Sequence, residues 1–113
     1  MLVVEQAAFL LDACRLIAYA TQEGWTVTGG ELARTPEQQD IYVKTGRSKT
    51  TKSLHLQRLA IDLNFFRDGK LVYDVAALKP VGDYWQSLSK QNSWGGSWSS
   101  FKDVPHFERR LPV

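Results

Sequence analysis

Residues 58–66 constrain this chain more than any other stretch. Leu59, Ile61, Leu63 and Phe65 recur at every second position, with Ala60, Asp62 and Asn64 between them. Period-two patterning is the mark of a strand with one apolar face, so a strand is predicted over Arg58 to Phe66. Asp62 is then a carboxylate set into an apolar strand. Burying it is expensive unless a partner or a cation meets it. His55 stands just ahead of the strand, where a short loop can fold its imidazole over the polar face.

The chain holds only two histidines. The second lies in Asp103-Val104-Pro105-His106-Phe107-Glu108. Taken singly, a strand Asp is most often ion-paired and a lone His is most often a surface or satisfied core residue. Here both histidines sit in short segments that also carry a carboxylate. Two neutral imidazoles and one carboxylate make a zinc set with a fourth position open. His55, Asp62 and His106 are therefore the expected zinc ligands. Hydrolysis at such a centre also needs a carboxylate that is not a ligand, to take a proton from water and pass it to the leaving group. Asp103 is the candidate. On an ideal strand Asp103 and His106 face opposite sides, so Pro105 would have to kink the chain. Glu108 is either a reserve base or a partner that orients His106.

The remaining chain reads as follows. Val3 to Glu23 is predicted as an amphipathic helix with Ala7, Leu10, Cys14 and Ile17 on its more apolar steps. Gly24 is placed to end it in a left-handed conformation. Trp25 to Thr28 alternates as a short strand, and Gly29-Gly30 turns the chain. Thr35-Pro36-Glu37-Gln38 combines a capping Thr, a Pro at the first helical position and a capping-box Gln, so a helix should run to about Lys44 or Thr45. Arg47 to Ser53 is a basic loop leading into His55 and a candidate rim of the site. Asp68-Gly69 marks a hairpin with a returning strand at Leu71 to Tyr73. Asp74 to Lys79 and Val81 to Lys90 look helical around Pro80. Gln91 to Lys102 reads as a Gly-, Ser- and Trp-rich loop whose tryptophans must pack on something, as core or as a wall that stacks on carbohydrate. Val104 to Arg109 is a short final strand.

The whole is a small single α+β domain over residues 1–113: a central antiparallel sheet flanked by helices, with the zinc site on the sheet. A chain of 113 residues supports one modest core. The net charge of +2 comes without a long basic run or aromatic-basic alternation, so nucleic acid is not an expected partner. Membrane insertion is not expected either, because Glu5, Asp12 and Arg15 interrupt the first apolar stretch, which also lacks a basic leader. The single cysteine, Cys14, excludes an intrachain disulfide and is expected to be a small buried residue. The Walker-type phosphate loop is absent from residues 47–53.

Ser53-x-His55 with Asp62-Leu63, then Trp94-Gly95-Gly96-Ser97-Trp98 and Asp103-Val104-Pro105-His106-Phe107-Glu108, resembles the zinc peptidases that include D-alanyl-D-alanine carboxypeptidases and phage L-alanyl-D-glutamate endopeptidase endolysins. Arg34-Thr35-Pro36-Glu37-Gln38-Gln39 resembles the Arg-containing segment upstream of that family's first zinc ligand. The likeness runs from Arg34 to Glu108. It implies His55, Asp62 and His106 on zinc and Asp103 as acid/base. It also implies Arg34 facing the substrate or the oxyanion, with Ser53 and Gln39 as further substrate-side residues. Arg58 stands where relatives often have Gly, and Ser97 where many have Asp, so the pocket departs from the pattern there.

The expected activity is zinc-dependent hydrolysis of an amide bond in the stem peptide of bacterial peptidoglycan, as in a phage or prophage endolysin. A D-alanyl-D-alanine carboxypeptidase and an inactive zinc-bound wall-binding module are the alternatives. The expected form is a monomer, made in the cytoplasm without a signal peptide and acting on the wall after release through a holin.

Overall fold

The computed structural model describes residues 1–46, 53–100 and 102–111. Among the described residues are three α-helices and a five-stranded antiparallel sheet. Helix α1 spans Leu2–Gln22, β1 Thr26–Gly29, α2 Pro36–Lys44, β2 Ala60–Arg67, β3 Lys70–Val72, α3 Val75–Leu88, β4 Asn92–Trp94 and β5 His106–Arg109. Short 3-10 helices lie at Leu54–Gln57 and Gly95–Ser97. The strands run β1-β2-β5-β4, with β3 also paired to β2. The α+β architecture with a central antiparallel sheet is therefore the observed one.

Strand β2 is the axis of the sheet because it pairs with three others. Its alternation sends Leu63 and Phe65 into the core, both about 1% exposed. In β5, Phe107 enters the same core, where its ring meets Phe65, Trp85 and Trp94. Trp85 is the keystone between layers. It packs edge-on against Phe9 of α1 and Phe107 of β5, and its indole N–H donates to the carbonyls of Ser93 and Glu108. Cutting such a side chain to Ala costs about 3–5 kcal/mol. A polar clamp closes the same edge: Arg109 donates to Glu5, Gln91 and Ser89, tying the start of α1 to β5.

Local chemistry explains most boundaries. Gly24 follows α1 with φ +91°. Thr35 caps α2 by accepting from Gln38 N–H. Asp68 and Gly69 take positive φ in the β2–β3 turn, where Arg67 faces Lys70. Asp74 caps α3 by accepting from Ala76 N–H.

Several expectations are corrected. The buried face of α1 is Phe9, Asp12, Ala13, Leu16 and Ala20, not the steps through Leu10 and Cys14. Leu10 is 54% exposed and Cys14 is exposed as well, since α3 and the sheet cover the neighbouring stripe. Gly29-Gly30 does not turn the chain. The ladder to β2 continues past it, with Gly30 N–H donating to Asp62 O and Asp62 N–H donating to Glu31 O. Arg58 is not in the strand: it takes φ 56° as the left-handed cap of the 3-10 helix before β2. Helix α3 passes through Pro80 without a break; Pro80 lies on the solvent side, where the freed carbonyl of the preceding turn can meet water. The Gln91–Lys102 segment contains β4 as well as loop. The final strand starts at His106, after a turn. The basic loop proposed as a rim lies outside the described residues except for Ser53. No helix among the described residues is long and apolar enough to cross a membrane.

Candidate metal centre

Antiparallel register builds the site. Asp62 lies directly opposite His106, Ile61 opposite Phe107, and Ala60 opposite Glu108. Cross-strand partners share a face of the sheet. Phe107 therefore points to the core, while Asp62, His106 and Glu108 gather on the other face, away from α1 and α3. Ala60 leaves room there for the Glu108 side chain.

His55 reaches this face from the 3-10 helix. Ser53 opens that helix by accepting from His55 N–H, and Arg58 closes it in the left-handed region. An irregular segment, residues 30–34, then bolts both ligand elements together. Gly30 N–H and the Glu31 carbonyl bond the backbone of Asp62, the Leu32 carbonyl lies 3.1 Å from His55 Nδ1, and Arg34 N–H donates to His55 O. A Cβ at Gly30 would fall 3.0 Å from Cβ and O of Asp62, so the small residue permits this approach.

The ligand atoms converge. Asp62 Oδ1 is 3.4 Å from His55 Nε2 and 3.5 Å from His106 Nδ1, and all three lie within 4.8 Å of one another. Both histidines have their other nitrogen engaged: Nδ1 of His55 by Leu32 O, Nε2 of His106 by Glu108 Oε1 at 2.7 Å. Those bonds fix the tautomers, so each ring, when neutral, offers a lone pair towards Asp62. His55 Nε2 and Asp62 Oδ1 are nevertheless buried without a hydrogen-bond partner. Such orphaned polar atoms are costly and call for an explanation. A cation supplies it. Two ligands at ~2.05 Å from a tetrahedral ion stand roughly 3.3 Å apart, close to the separations observed. The trio thus fits a bound metal ion.

The electrostatics agree. Burial opposes the charge on Asp62, but the imidazoles of His106 and His55 outweigh it and hold the carboxyl at about 2. Burial likewise opposes a charged His106, yet Asp62, Glu108 and Asp103 together push it up to about 9. The pocket is a concentrated negative field around imidazole nitrogens, as a cation site should be.

Asp103 stands beside the trio but apart from it. Its Oδ2 is 3.9 Å from His106 Nδ1, and the side chain is 41% exposed. Its backbone explains the placement. Asp103 N–H donates to Gly95 O, and His106 N–H donates to Asp103 O, closing a turn over Val104 and Pro105. That turn, not a kinked strand, brings residues 103 and 106 to one side. Burial chiefly, with the charge of Asp62, raises the Asp103 carboxyl above the ordinary carboxylate range.

Arg34, Ser53 and Gln39 also come together. The guanidinium donates through Nη1 to Gln39 Oε1 at 2.7 Å and to Ser53 Oγ at 3.3 Å, and through Nε to Glu31. It lies over the ring of Tyr42, 4.6 Å from its centroid. Glu108 is used on both oxygens, by His106 and by Arg110, the arrangement of a partner that orients the ring. Trp98 leans on His106, 5.2 Å between centroids, with its indole N–H given to Ser93 Oγ. Trp94 is core, its N–H given to Val104 O.

Sequence reasoning missed Glu31, Tyr42, Gly95 and the Leu32 carbonyl. Glu31 carried one readable signal, an opposite charge three residues before Arg34. The others act through backbone or ring contacts that leave no pattern.

This is a small α+β fold in which His55, Asp62 and His106 converge on one face of an antiparallel sheet, a trio that could hold one metal ion. The profile of the D-alanyl-D-alanine carboxypeptidase family matches residues 46–109. That is more than half of the chain, and the chain belongs to this family. It is 35% identical over 98 residues to the L-alanyl-D-glutamate peptidase of Listeria phage A118, a match covering 85% of this chain. The chain spans 34% of the length of that curated relative. Its fold is similar to that of the Serratia marcescens L-Ala D-Glu endopeptidase ChiX, with a TM-score of 0.69 and 25% identity over 87% of this chain and 77% of that one.

Proposed function

We propose that the chain is the catalytic domain of a zinc peptidase that cleaves the L-alanyl-D-glutamate bond in the stem peptide of bacterial peptidoglycan. One observation carries the metal chemistry: His55 Nε2 and Asp62 Oδ1 are buried, partnerless and aimed at one point with His106 Nδ1. The names of the phage and Serratia relatives support the choice of bond.

His55, Asp62 and His106 would hold the ion. When bound, zinc supplies Lewis acidity to the scissile carbonyl and to water. The residues of the chain do the rest. Asp103 Oδ2 accepts a proton from the attacking water as its oxygen bonds the carbonyl carbon. It then hands that proton to the amide nitrogen as the C–N bond breaks. Arg34 faces the negative charge that builds on the carbonyl oxygen. Ser53 and Gln39 serve the substrate through Arg34, which both hold. Trp98 walls one side of the His106 ring. The reading extends to a monomer acting on the cell wall after holin-type release.

The family's description supports a second reading, a D-alanyl-D-alanine carboxypeptidase with the same centre. Digestion of purified peptidoglycan with and without a zinc chelator, read by mass spectrometry, decides. New L-Ala and D-Glu ends that vanish with chelator are expected. Loss of terminal D-Ala alone would move the protein to the carboxypeptidase reading. No cleavage by zinc-loaded, folded protein on several wall types would make it an inactive binding module.

A further inference from the structure

The guanidinium of Arg34 is unusually constrained for a residue offered to a substrate. Its side chain is only 9% exposed. Nε is taken by Glu31 Oε1, and Nη1 is shared by Gln39 and Ser53. Glu31 is itself held, because Tyr42 donates its hydroxyl to Oε2 at 2.7 Å while its ring lies under the guanidinium. The peptide unit of Glu31 is fixed too, since its carbonyl accepts from Asp62 N–H. Of the three guanidinium nitrogens, Nη2 alone has no hydrogen-bond partner among the described residues. Arg34 N–H also donates to His55 O, and Ser53 Oγ accepts from both Arg34 Nη1 and His55 N–H, so the residue sits beside the His55 arm of the centre.

We propose that Glu31 is the positioning residue for Arg34: its carboxylate, anchored by Tyr42 and by the backbone of Asp62, fixes the guanidinium plane so that Nη2 alone is presented to the substrate's carbonyl oxygen. The inference rests on the peptidase reading above, in which Arg34 meets the developing oxyanion. A planar guanidinium held at two of its three nitrogens has little rotational freedom left, so its free donor is aimed before substrate arrives. Losing that aim costs rate, because a misplacement of ~1 Å can cost about a hundredfold. It should cost little in substrate affinity, since the oxyanion exists only in the transition state.

The test is a double-mutant cycle on zinc-loaded protein with a soluble stem-peptide substrate. Glu31→Gln should lower kcat by about tenfold to a hundredfold with KM nearly unchanged, and Tyr42→Phe should act in the same direction but less. In an Arg34→Ala background, Glu31→Gln should cause little further loss, because Glu31 acts through Arg34. Additive losses, or wild-type kcat in Glu31→Gln beside an impaired Arg34→Ala, would overturn the proposal. A second readout stands apart from activity. In nitrogen-15 NMR the Arg34 Nε–H should exchange slowly with solvent in the parent protein and quickly in Glu31→Gln. An unchanged Nε–H signal sinks the clamp even if the enzyme is active. A parent protein that cleaves nothing but shows the protected Nε–H loses the peptidase reading and keeps the clamp.

Discussion

Glu108 accepts the Nε2 proton of His106 across 2.7 Å, and Arg110 Nε holds the other oxygen of the same carboxylate at 2.7 Å. Two positions apart on β5, Glu108 and His106 share a face by strand geometry alone. Burial works against the Glu108 charge, but His106 and Arg110 prevail and keep the carboxyl below its ordinary value. The ionised acceptor fixes the tautomer that turns Nδ1 towards Asp62. Glu108→Ala should therefore weaken zinc binding by about tenfold to a hundredfold and leave the fold intact, because Trp85 bonds the carbonyl of residue 108 and not its side chain. Competition against a chromogenic chelator reads the affinity; an unchanged value would leave Glu108 without that role.

On the proposed mechanism, a change at Asp103 should separate metal binding from chemistry. Its oxygen lies outside the trio, at 3.9 Å from His106 Nδ1, and its backbone bonds survive a side-chain change. Asp103→Asn should hold one zinc per chain with near-parental affinity and lose hydrolysis by at least about a hundredfold, the scale of a general acid–base contribution. Metal analysis and fragment release from peptidoglycan, measured on one preparation, check it. Full activity in the variant would remove Asp103 from the reaction.

Much of this centre was legible before the fold was known, and the reason is periodic. The alternation from Leu59 to Phe65 predicts that Asp62 leaves the core face, and the register opposite His106 follows once β5 pairs with β2. Chemistry then narrows the metal set, because only two imidazoles exist to share. What stayed hidden lacks a period. The turn that carries Asp103 is defined by backbone bonds to Gly95 and His106. The clamp on Arg34 depends on Glu31, in a segment with no helical or strand pattern. Helix α1 shows a different limit. Two adjacent stripes are apolar, and only the position of α3 and the sheet decides that Phe9, Ala13, Leu16 and Ala20 go inside while Leu10 and Cys14 do not. Strand β4 is three residues of Asn, Ser and Trp, too short to register against the surrounding glycines and serines.

The two large pKa displacements set a pH window for the metal-free protein. His106 is raised from 6.5 to about 9, so its contribution is fully present below 6.5 and is lost as pH rises through about 9. Asp62 is lowered from 3.8 to about 2, so its contribution is present above 3.8 and is lost as pH falls through about 2. The His106 displacement, shared among Asp62, Glu108 and Asp103, is on the order of 3 kcal/mol, and it overlaps with the Asp62 displacement through their common pair. Metal-free protein should therefore resist urea best between about pH 4 and about pH 6.5 and weaken towards about pH 9.5. Saturating zinc should abolish the alkaline loss, because the ion takes the place of the proton and binds only the folded chain. Urea titrations across this range, with metal and with chelator, test both arms. An alkaline loss of equal size with zinc bound would contradict the assignment of His106.

Gly95 is where the hidden part of the site can be tested most directly. The residue opens the second 3-10 helix, and its carbonyl accepts Asp103 N–H at 3.1 Å. A Cβ there would lie 2.1 Å from the backbone oxygen of Asp103. That contact is with backbone, so no side-chain rotation can relieve it; the turn from Asp103 to His106 has to move. The same oxygen accepts His106 N–H, so the shift is passed to the start of β5. His106 is better restrained than Asp103, being held through its ring by Glu108 and through its strand by Asp62. Gly95→Ala should therefore displace the carboxylate of Asp103 more than the metal trio. The expected result is a loss of kcat of about a hundredfold, a fall in zinc affinity of less than about tenfold, and a stability loss of about 1–3 kcal/mol typical of overpacking. Thermal melts, chelator competition and hydrolysis rates on the same variant separate the three effects. Parental kcat with reduced stability would show that Gly95 serves packing alone and that Asp103 is placed by other contacts.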